Sequence, residues 1–172
     1  MNFHLIFVHF PIALFTIYAL LELVSVKKLR ELSYWFYIKA LMVIVGAGSA
    51  FVTLQTGEAI ENKFRYLRAL VEIHSSWATT STIVFSVIAT AYAIVWINSQ
   101  WHLEQRTIRY FSTVWALVTK LSVFMLKRWV VFILALFGLV AISITGALGG
   151  AISQGPDIDP VVNFVYHLYF AK

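Results

Sequence analysis

The stretch that decides the fold is residues 129–152, which read WVVFILALFGLVAISITGALGGAI. It contains no charged residue, and its length lies within the range of about 17–25 residues that an α-helix needs to cross a bilayer. Lys127 and Arg128 stand directly before it, and a Gly-Pro turn signal at residues 155–156 follows it. These features predict a transmembrane helix with basic residues at its start.

Three further segments have the same apolar character and length: residues 4–26, 40–56 and 75–98. The first is not a typical cleavable signal, because no Lys or Arg precedes its apolar run and no small-residue cleavage site follows it. We therefore predict an all-α integral membrane protein. Its fold is a four-transmembrane-helix up-down bundle, and residues 1–172 form a single membrane domain.

The composition fits lipid better than water as the surrounding solvent. Of the 172 residues 60% are apolar and 12% are charged, whereas soluble domains average about 45–50% and about 25%. The chain has no cysteine, which excludes disulfides, thiolate metal sites, cysteine nucleophiles and cysteine-ligated iron–sulfur clusters. The net charge of +5 arises from Lys and Arg residues that are concentrated on one side of the spans, as in membrane proteins. We therefore expect a lipid bilayer as the partner and no nucleic acid.

Most of the basic residues fall on one side of the predicted bundle. They flank the first turn or lie between the third and fourth spans: Lys27, Lys28, Arg30, Lys39, Arg106, Arg109, Lys120, Lys127 and Arg128. The other side carries Lys63, Arg65, Arg68 and Lys172. Because cytoplasmic loops of membrane proteins are enriched in Lys and Arg, this asymmetry predicts that both termini lie outside the cytoplasm.

Two segments outside the spans also carry patterns. Residues 105–127 have a weakly polar stripe at helical spacing, which predicts an amphipathic helix at the membrane interface. This helix could anchor the chain in the membrane or dock a neighbouring subunit, and the sequence leaves both roles open. Residues 153–172 are expected to form a tail on the outer side, in which a turn is followed by an aromatic patch.

The first and third spans begin with related motifs, and the second and fourth end alike. His9-x-x-x-Ala13-x-x-Thr16 matches His74-x-x-x-Ala78-x-x-Ser81, while Thr56-Gly57 matches Thr145-Gly146. We therefore predict two hairpin repeats, with the interfacial segment inserted in the second. Parallel membrane repeats of this kind are related by an axis along the bilayer normal.

Four of the five histidines are predicted on the outer side: His4, His9, His74 and His167. In an up-down bundle the first and third helices can lie diagonally across the core. His9 and His74 would then face each other, and two imidazoles can serve as the axial ligands of haem b. Copper or zinc ligation by His9 and His74, or no cofactor at all, are the alternatives.

Other residues extend or flank this candidate site. His4 and His167 are candidates for a second cofactor-binding pair on the outer side. Arg65 and Arg68 are candidates for neutralising haem propionates, because arginine pairs bidentately with carboxylates. A pair facing water or lipid headgroups is the alternative for these two arginines. Glu22, near the inner end of the first span, is interpreted as a side chain that snorkels to the interface.

Residues 8–14 read VHFPIAL, and in this motif the chain resembles a bacterial membrane-protein family known as domain of unknown function 2231. The resemblance extends, in order, to His4, Glu22-Leu23, Thr56-Gly57, His74 and Thr145-Gly146-Ala147-Leu148-Gly149-Gly150. It implies a four-helix domain in the bacterial inner membrane, similar in layout to dihaem cytochrome b bundles, in a family sometimes joined to redox modules. It implies no established activity.

The chain departs from the family pattern at two points. The family often has proline after the first histidine, where this chain has Leu5. It also tends to place a tyrosine and a histidine shortly after the Gly-Gly pair, where Ser153, Gln154 and Pro156 stand here. The resemblance therefore transfers no ligand role to His167.

These observations favour a membrane electron-transfer subunit that holds a b-type haem on the outer side of the membrane. It would exchange electrons with other membrane subunits or with an outer-side redox protein, within a larger redox complex. The protein is not expected to be an enzyme in its own right. A non-redox structural subunit of a membrane complex, or a subunit that binds a pigment or metal through histidine, are the alternatives.

Overall fold

The protein is helical throughout the part that the computed structural model describes, residues 3–24, 27–60, 64, 66–101 and 109–170. No strand occurs within these ranges. The helices are α1 (Phe3–Leu23), α2 (Lys27–Arg30), α3 (Trp35–Glu58), α4 (Arg68–Trp101), α5 (Arg109–Met125), α6 (Arg128–Gln154) and α7 (Pro160–Phe170). The predicted all-α fold class is confirmed for these residues.

Four of these helices are long and apolar enough to cross a membrane. They are α1, in which the apolar stretch is Ile6–Leu23, together with α3, α4 and α6. The predicted spans 40–56, 75–98 and 129–152 each lie inside a longer helix, because the helical backbone continues into the flanking residues on both sides. A chain with four such helices is suited to a bilayer environment as a multi-pass membrane protein.

The four long helices pack in a ring. Helix α1 lies against α3 and α6, and α4 lies against the same two helices, so that α1 and α4 face each other across the core. On this diagonal the rings of Phe15 and Phe85 stack with centroids 4.0 Å apart and an angle of 14° between their planes. Both side chains are fully buried, which makes this stack the centre of the apolar core.

Two glycines provide the space for these rings. A Cβ atom at Gly46 of α3 would lie 2.7 Å from Phe15, and one at Gly138 of α6 would lie 2.7 Å from Phe85. Because neither glycine has a side chain, each phenyl ring packs directly against the backbone of the neighbouring helix. The α1–α3 and α4–α6 pairs therefore make the same contact at the same level.

The ends of the bundle differ in their chemistry. At one end, which we call the histidine end, His4 of α1 lies beside Gly57 of α3, and His74 of α4 lies beside Gly149 of α6. At the other, the carboxylate end, Glu22 of α1 contacts residues of α3 and α4. Adjacent long helices are thus antiparallel, as an up-down bundle requires.

Helix α5 covers most of the segment 105–127 that was predicted to be amphipathic. It packs mainly on α4, where the indole N–H of Trp115 donates to Asn98 Oδ1 at 2.9 Å and where Ser122 is buried. Four apolar side chains form an exposed stripe on its outer face: Val114, Leu117, Leu121 and Phe124.

Helix α7 lies within the C-terminal tail, where only a turn and an aromatic patch were expected. Gly155, with φ of 98°, ends α6, and Asp159 begins α7 by accepting the backbone N–H groups of Val161 and Val162 at 2.8 and 2.9 Å. The Asp159-Pro160 pair is a helix-start signal that the turn interpretation missed.

Substituting Gly46 or Gly138 by alanine should destabilise the bundle, because the added methyl group would overlap a fully buried phenyl ring. Such overpacking costs about 1–3 kcal/mol. Gly48→Ala is the matched control, since a Cβ there meets no atom within 4 Å and alanine favours a helix by about 0.5–1 kcal/mol. The free energy of unfolding in detergent checks this, and equal effects at all three positions would contradict it.

Candidate functional site

At the histidine end, His4 and His74 each lie on the face of their helix that packs into the core. On α1, His4 lies on the helical stripe that continues through the buried residues Pro11 and Phe15. On α4, His74 lies on the stripe of the buried residues Ser81 and Phe85. Since α1 and α4 face each other across the core, the two imidazoles lie at the same end of this diagonal.

The His4 ring is held by the end of α3. Its Nδ1 lies 3.1 Å from Thr56 Oγ1. The Thr56 hydroxyl donates its own proton to the Thr53 carbonyl at 2.9 Å, so its oxygen accepts from His4. A Cβ at Gly57 would stand 3.2 Å from His4 Cε1, so this glycine allows the imidazole to lie against the helix backbone.

The His74 ring is held by α6 in a matching way. Its Nδ1 lies 3.0 Å from the Thr145 carbonyl oxygen, which can only accept a hydrogen bond. A Cβ at Gly149 would stand 3.1 Å from His74 Cε1. A carbonyl oxygen has two lone pairs, so that of Thr145 can accept from His74 as well as from the backbone of its own helix.

These hydrogen bonds determine the protonation of both rings. In each neutral imidazole Nδ1 carries the proton, so Nε2 keeps its lone pair. A histidine that ligates a metal uses one ring nitrogen and donates from the other to a carbonyl or another oxygen. His4 and His74 therefore already have the hydrogen bonding of ligand histidines, with Nε2 as the donor atom on each.

The contacts also relate the two helix pairs residue by residue. His4 corresponds to His74, Phe15 to Phe85, Gly46 to Gly138, Thr53 to Thr145 and Gly57 to Gly149. His4 Nδ1 bonds the Thr56 hydroxyl, whose own acceptor is the Thr53 carbonyl, whereas His74 Nδ1 bonds the Thr145 carbonyl directly. This register differs from the one in the sequence motifs, which paired His9 with His74. The spacing from His4 to Phe15 equals the spacing from His74 to Phe85, and this is the sequence signal that would have predicted the observed register.

The remaining predicted site residues lie away from this pair or outside the described residues. His9 is exposed and lies about 140° around α1 from His4, at about 100° per residue. His167 is exposed on α7, with its ring against Tyr166. The Arg68 guanidinium pairs with Glu72 at 2.8 Å and is 82% exposed. Arg65 lies outside the described residues, so the propionate role of both arginines stays a prediction.

His4 and His74 are the candidate ligands that the described residues place at the histidine end. Within the described ranges, no group of three or more His, Cys, Asp or Glu residues is arranged to hold a metal ion. Zinc and copper sites usually need three or four protein ligands. Two imidazoles match the requirement of haem, since the macrocycle itself supplies the four remaining ligands.

The carboxylate end contains a network that the sequence interpretation missed. Glu22 Oε1 accepts hydrogen bonds from the hydroxyls of Tyr18 and Tyr92, at 2.9 and 2.8 Å. The Lys39 ammonium donates to both carboxylate oxygens at 2.9 Å. The side chain of Glu22 is 7% exposed and that of Lys39 is 15% exposed. The snorkelling interpretation of Glu22 is therefore wrong, because its carboxylate points into the bundle.

This network joins α1, α3 and α4, and every group in it has a partner. A buried charge is tolerated when it is paired and hydrogen-bonded, so the arrangement stabilises this end without leaving a spare ligand atom. Tyr18 stands one helical turn before Glu22, which places both on one face of α1. That spacing was the available signal, but Lys39 and Tyr92 reach Glu22 only through the tertiary fold.

Comparison of the chain with protein-family models, with curated proteins and with solved structures gave no match. The resemblance of residues 8–14 to domain of unknown function 2231 therefore stays a prediction, and the functional argument depends on the site itself.

Removing one partner of the Glu22–Lys39 pair should destabilise the bundle strongly. In Glu22→Gln the Lys39 ammonium loses its buried counter-charge, and breaking a buried pair in this way costs about 3–5 kcal/mol. Glu72→Gln is the matched control, because the pair that it breaks is exposed and such pairs contribute about 0–1 kcal/mol. Unfolding free energies in detergent check this, and a Glu22→Gln protein as stable as Glu72→Gln would contradict it.

Proposed function

We propose that the protein is a membrane electron-transfer subunit that holds one b-type haem between His4 and His74. The observation that carries this proposal is that His4 and His74 lie at the same end of the α1–α4 diagonal, each with Nδ1 hydrogen-bonded to an oxygen of the neighbouring helix, so that Nε2 can serve as a ligand atom. Haem, when bound, supplies a one-electron redox centre. His4 and His74 would hold this group, and the apolar core beside them would help to set its potential.

The proposal keeps the predicted haem and the predicted ligand His74, and it replaces His9 with His4 as the second ligand. His4 is favoured because it lies on the core stripe of α1 and its ring is oriented by Thr56. His9 lies on an exposed face of the same helix. Orientation by a hydrogen-bonding partner fixes the tautomer of a ligand histidine and increases its basicity, so the Thr56 and Thr145 oxygens act as positioning groups.

The two-hairpin repeat is part of this proposal, in the register that the contacts support. Helices α1 and α3 form the first hairpin and α4 and α6 the second, with α5 inserted between the helices of the second. Each hairpin contributes one histidine, one glycine beneath its ring and one glycine beneath a core phenylalanine. A repeat of this kind accounts for two equivalent axial ligands from a single ancestral hairpin.

The proposed orientation places the histidine end on the outer side of a bacterial inner membrane and both termini there with it. The cations of the two loops at the carboxylate end support this orientation through the positive-inside rule. Electrons would then be exchanged with other membrane subunits or with an outer-side redox protein.

A non-redox structural subunit of a membrane complex is the second candidate. The exposed apolar stripe of α5 favours it, because a helix that presents Val114, Leu117, Leu121 and Phe124 outward can dock on a neighbouring subunit as well as on lipid. In that case the histidines at the other end would carry no cofactor.

Absorption spectra of the purified protein test the haem proposal. We expect sharp reduced-minus-oxidised bands and one haem iron per chain in the wild type. Both signals should be lost in His4→Ala and in His74→Ala, because each variant removes an axial ligand. His9→Ala and His167→Ala are the matched controls and should keep them.

Three outcomes would contradict the proposal in different ways. If His4→Ala kept the absorption bands and His9→Ala lost them, His9 and not His4 would be the ligand. A colourless, folded wild type with no bound iron would favour the structural subunit. A bound metal without haem bands would indicate direct ligation by histidine.

Cysteine labelling tests the orientation, since the chain has no cysteine of its own. A membrane-impermeant thiol reagent added to intact cells should label Asn62→Cys, between α3 and α4. It should reach Glu31→Cys, between α1 and α3, only after lysis. The reverse pattern would place the histidine end in the cytoplasm.

A further inference from the structure

A groove on the outer surface of α5 combines positive charge with an apolar floor. It has a volume of about 250 Å³ and is lined by Ala116, Thr119, Lys120, Val123, Phe124 and Lys127. Lys120 lies on α5 and Lys127 lies between α5 and α6, and both are exposed and line the same groove. The groove belongs neither to the histidine end nor to the carboxylate network.

The charge of these two lysines is not neutralised by the protein. Residues 109–154 contain no Asp or Glu. Across the described ranges the salt bridges join Lys39 to Glu22 and Arg68 to Glu72, and neither groove lysine has a carboxylate within 4.0 Å. An external anion is therefore the natural counter-charge.

The remaining walls suit a ligand that also has an apolar part. The Lys127 ammonium lies 5.2 Å from the centre of the Phe124 ring, and Phe124 and Val123 are each 51% exposed. Thr119 Oγ1 is buried in the groove wall without a hydrogen-bond partner among the described residues. Cations beside exposed apolar side chains match the boundary between phosphate and acyl chain in a lipid.

The position of the groove along the chain gives the membrane side. Lys127 directly precedes α6, and Arg128, its first residue, is level with the carboxylate end of the bundle. In the proposed orientation this end lies in the cytoplasmic leaflet, where anionic lipids attract Lys and Arg near the membrane surface.

We propose that this groove binds the headgroup phosphate of an anionic phospholipid, such as phosphatidylglycerol. Lys120 and Lys127 pair with the phosphate, and the glycerol and upper acyl chain lie over Val123 and Phe124. The lipid thereby holds α5 at the interface. The inference does not depend on haem binding at the opposite end.

Native mass spectrometry of the full-length detergent-solubilised protein tests this, with phosphatidylglycerol and phosphatidylcholine of equal chain length as probes. We expect phosphatidylglycerol to bind more tightly. Lys120→Gln and Lys127→Gln should each weaken it about fivefold, since a basic residue near an anionic surface contributes about 1 kcal/mol. Lys120→Arg should retain binding, and Lys28→Gln, an exposed lysine outside the groove, should leave it unchanged.

Each other result would overturn the proposal. Equal affinity for the two lipids would show that the apolar surface alone binds. An equal loss in Lys28→Gln would show a general charge effect without a site. Displacement of the lipid by inorganic phosphate at similar concentration would identify a site for free anions. The helical circular dichroism of each variant, measured in parallel, shows that the bundle is intact and keeps this test separate from the haem proposal.

Discussion

The close approach of the helices at the Phe15–Phe85 stack is the constraint on which both ends of the bundle depend. Two glycines bring the backbones of α3 and α6 against the rings, and the rings meet across the diagonal at 4.0 Å. Once this level is fixed, residues an equal number of turns away must meet at equal heights. His4 and His74 stand at equal spacing before the two stacked residues, and Glu22 and Tyr92, at equal spacing after them, are hydrogen-bonded to each other.

The polar groups at the two ends of the bundle are hydrogen-bonded in different ways. A polar group without water must find its partner in the protein, because an unsatisfied one costs several kcal/mol. At the carboxylate end Glu22 accepts hydrogen bonds from three side chains of the bundle, Tyr18, Lys39 and Tyr92. At the histidine end each imidazole is bonded through Nδ1 to an oxygen of the neighbouring helix.

The helices were predictable from sequence because each long apolar run has one stable form in lipid. Their packing partners were harder to predict. The sequence motif led to the prediction of His9 as a ligand, but a motif does not show which face of a helix packs into the core. His4, and not His9, lies on that face. The stripe of buried residues through Phe15 carried this information. Glu22 was misjudged because its partners Lys39 and Tyr92 are far away in the sequence. Helix α7 was missed because its start signal is short.

The polar bonds at the two ends of the bundle are placed differently with respect to its two helix pairs. The bonds of His4 to Thr56 and of His74 to Thr145 each lie within one pair, α1–α3 or α4–α6, whereas the bond of Tyr92 to Glu22 joins the two pairs. The stacked rings of Phe15 and Phe85 also join the pairs, but by apolar contact. Each imidazole is therefore oriented from within its own helix pair, and its hydrogen bond would survive a small displacement of one pair against the other.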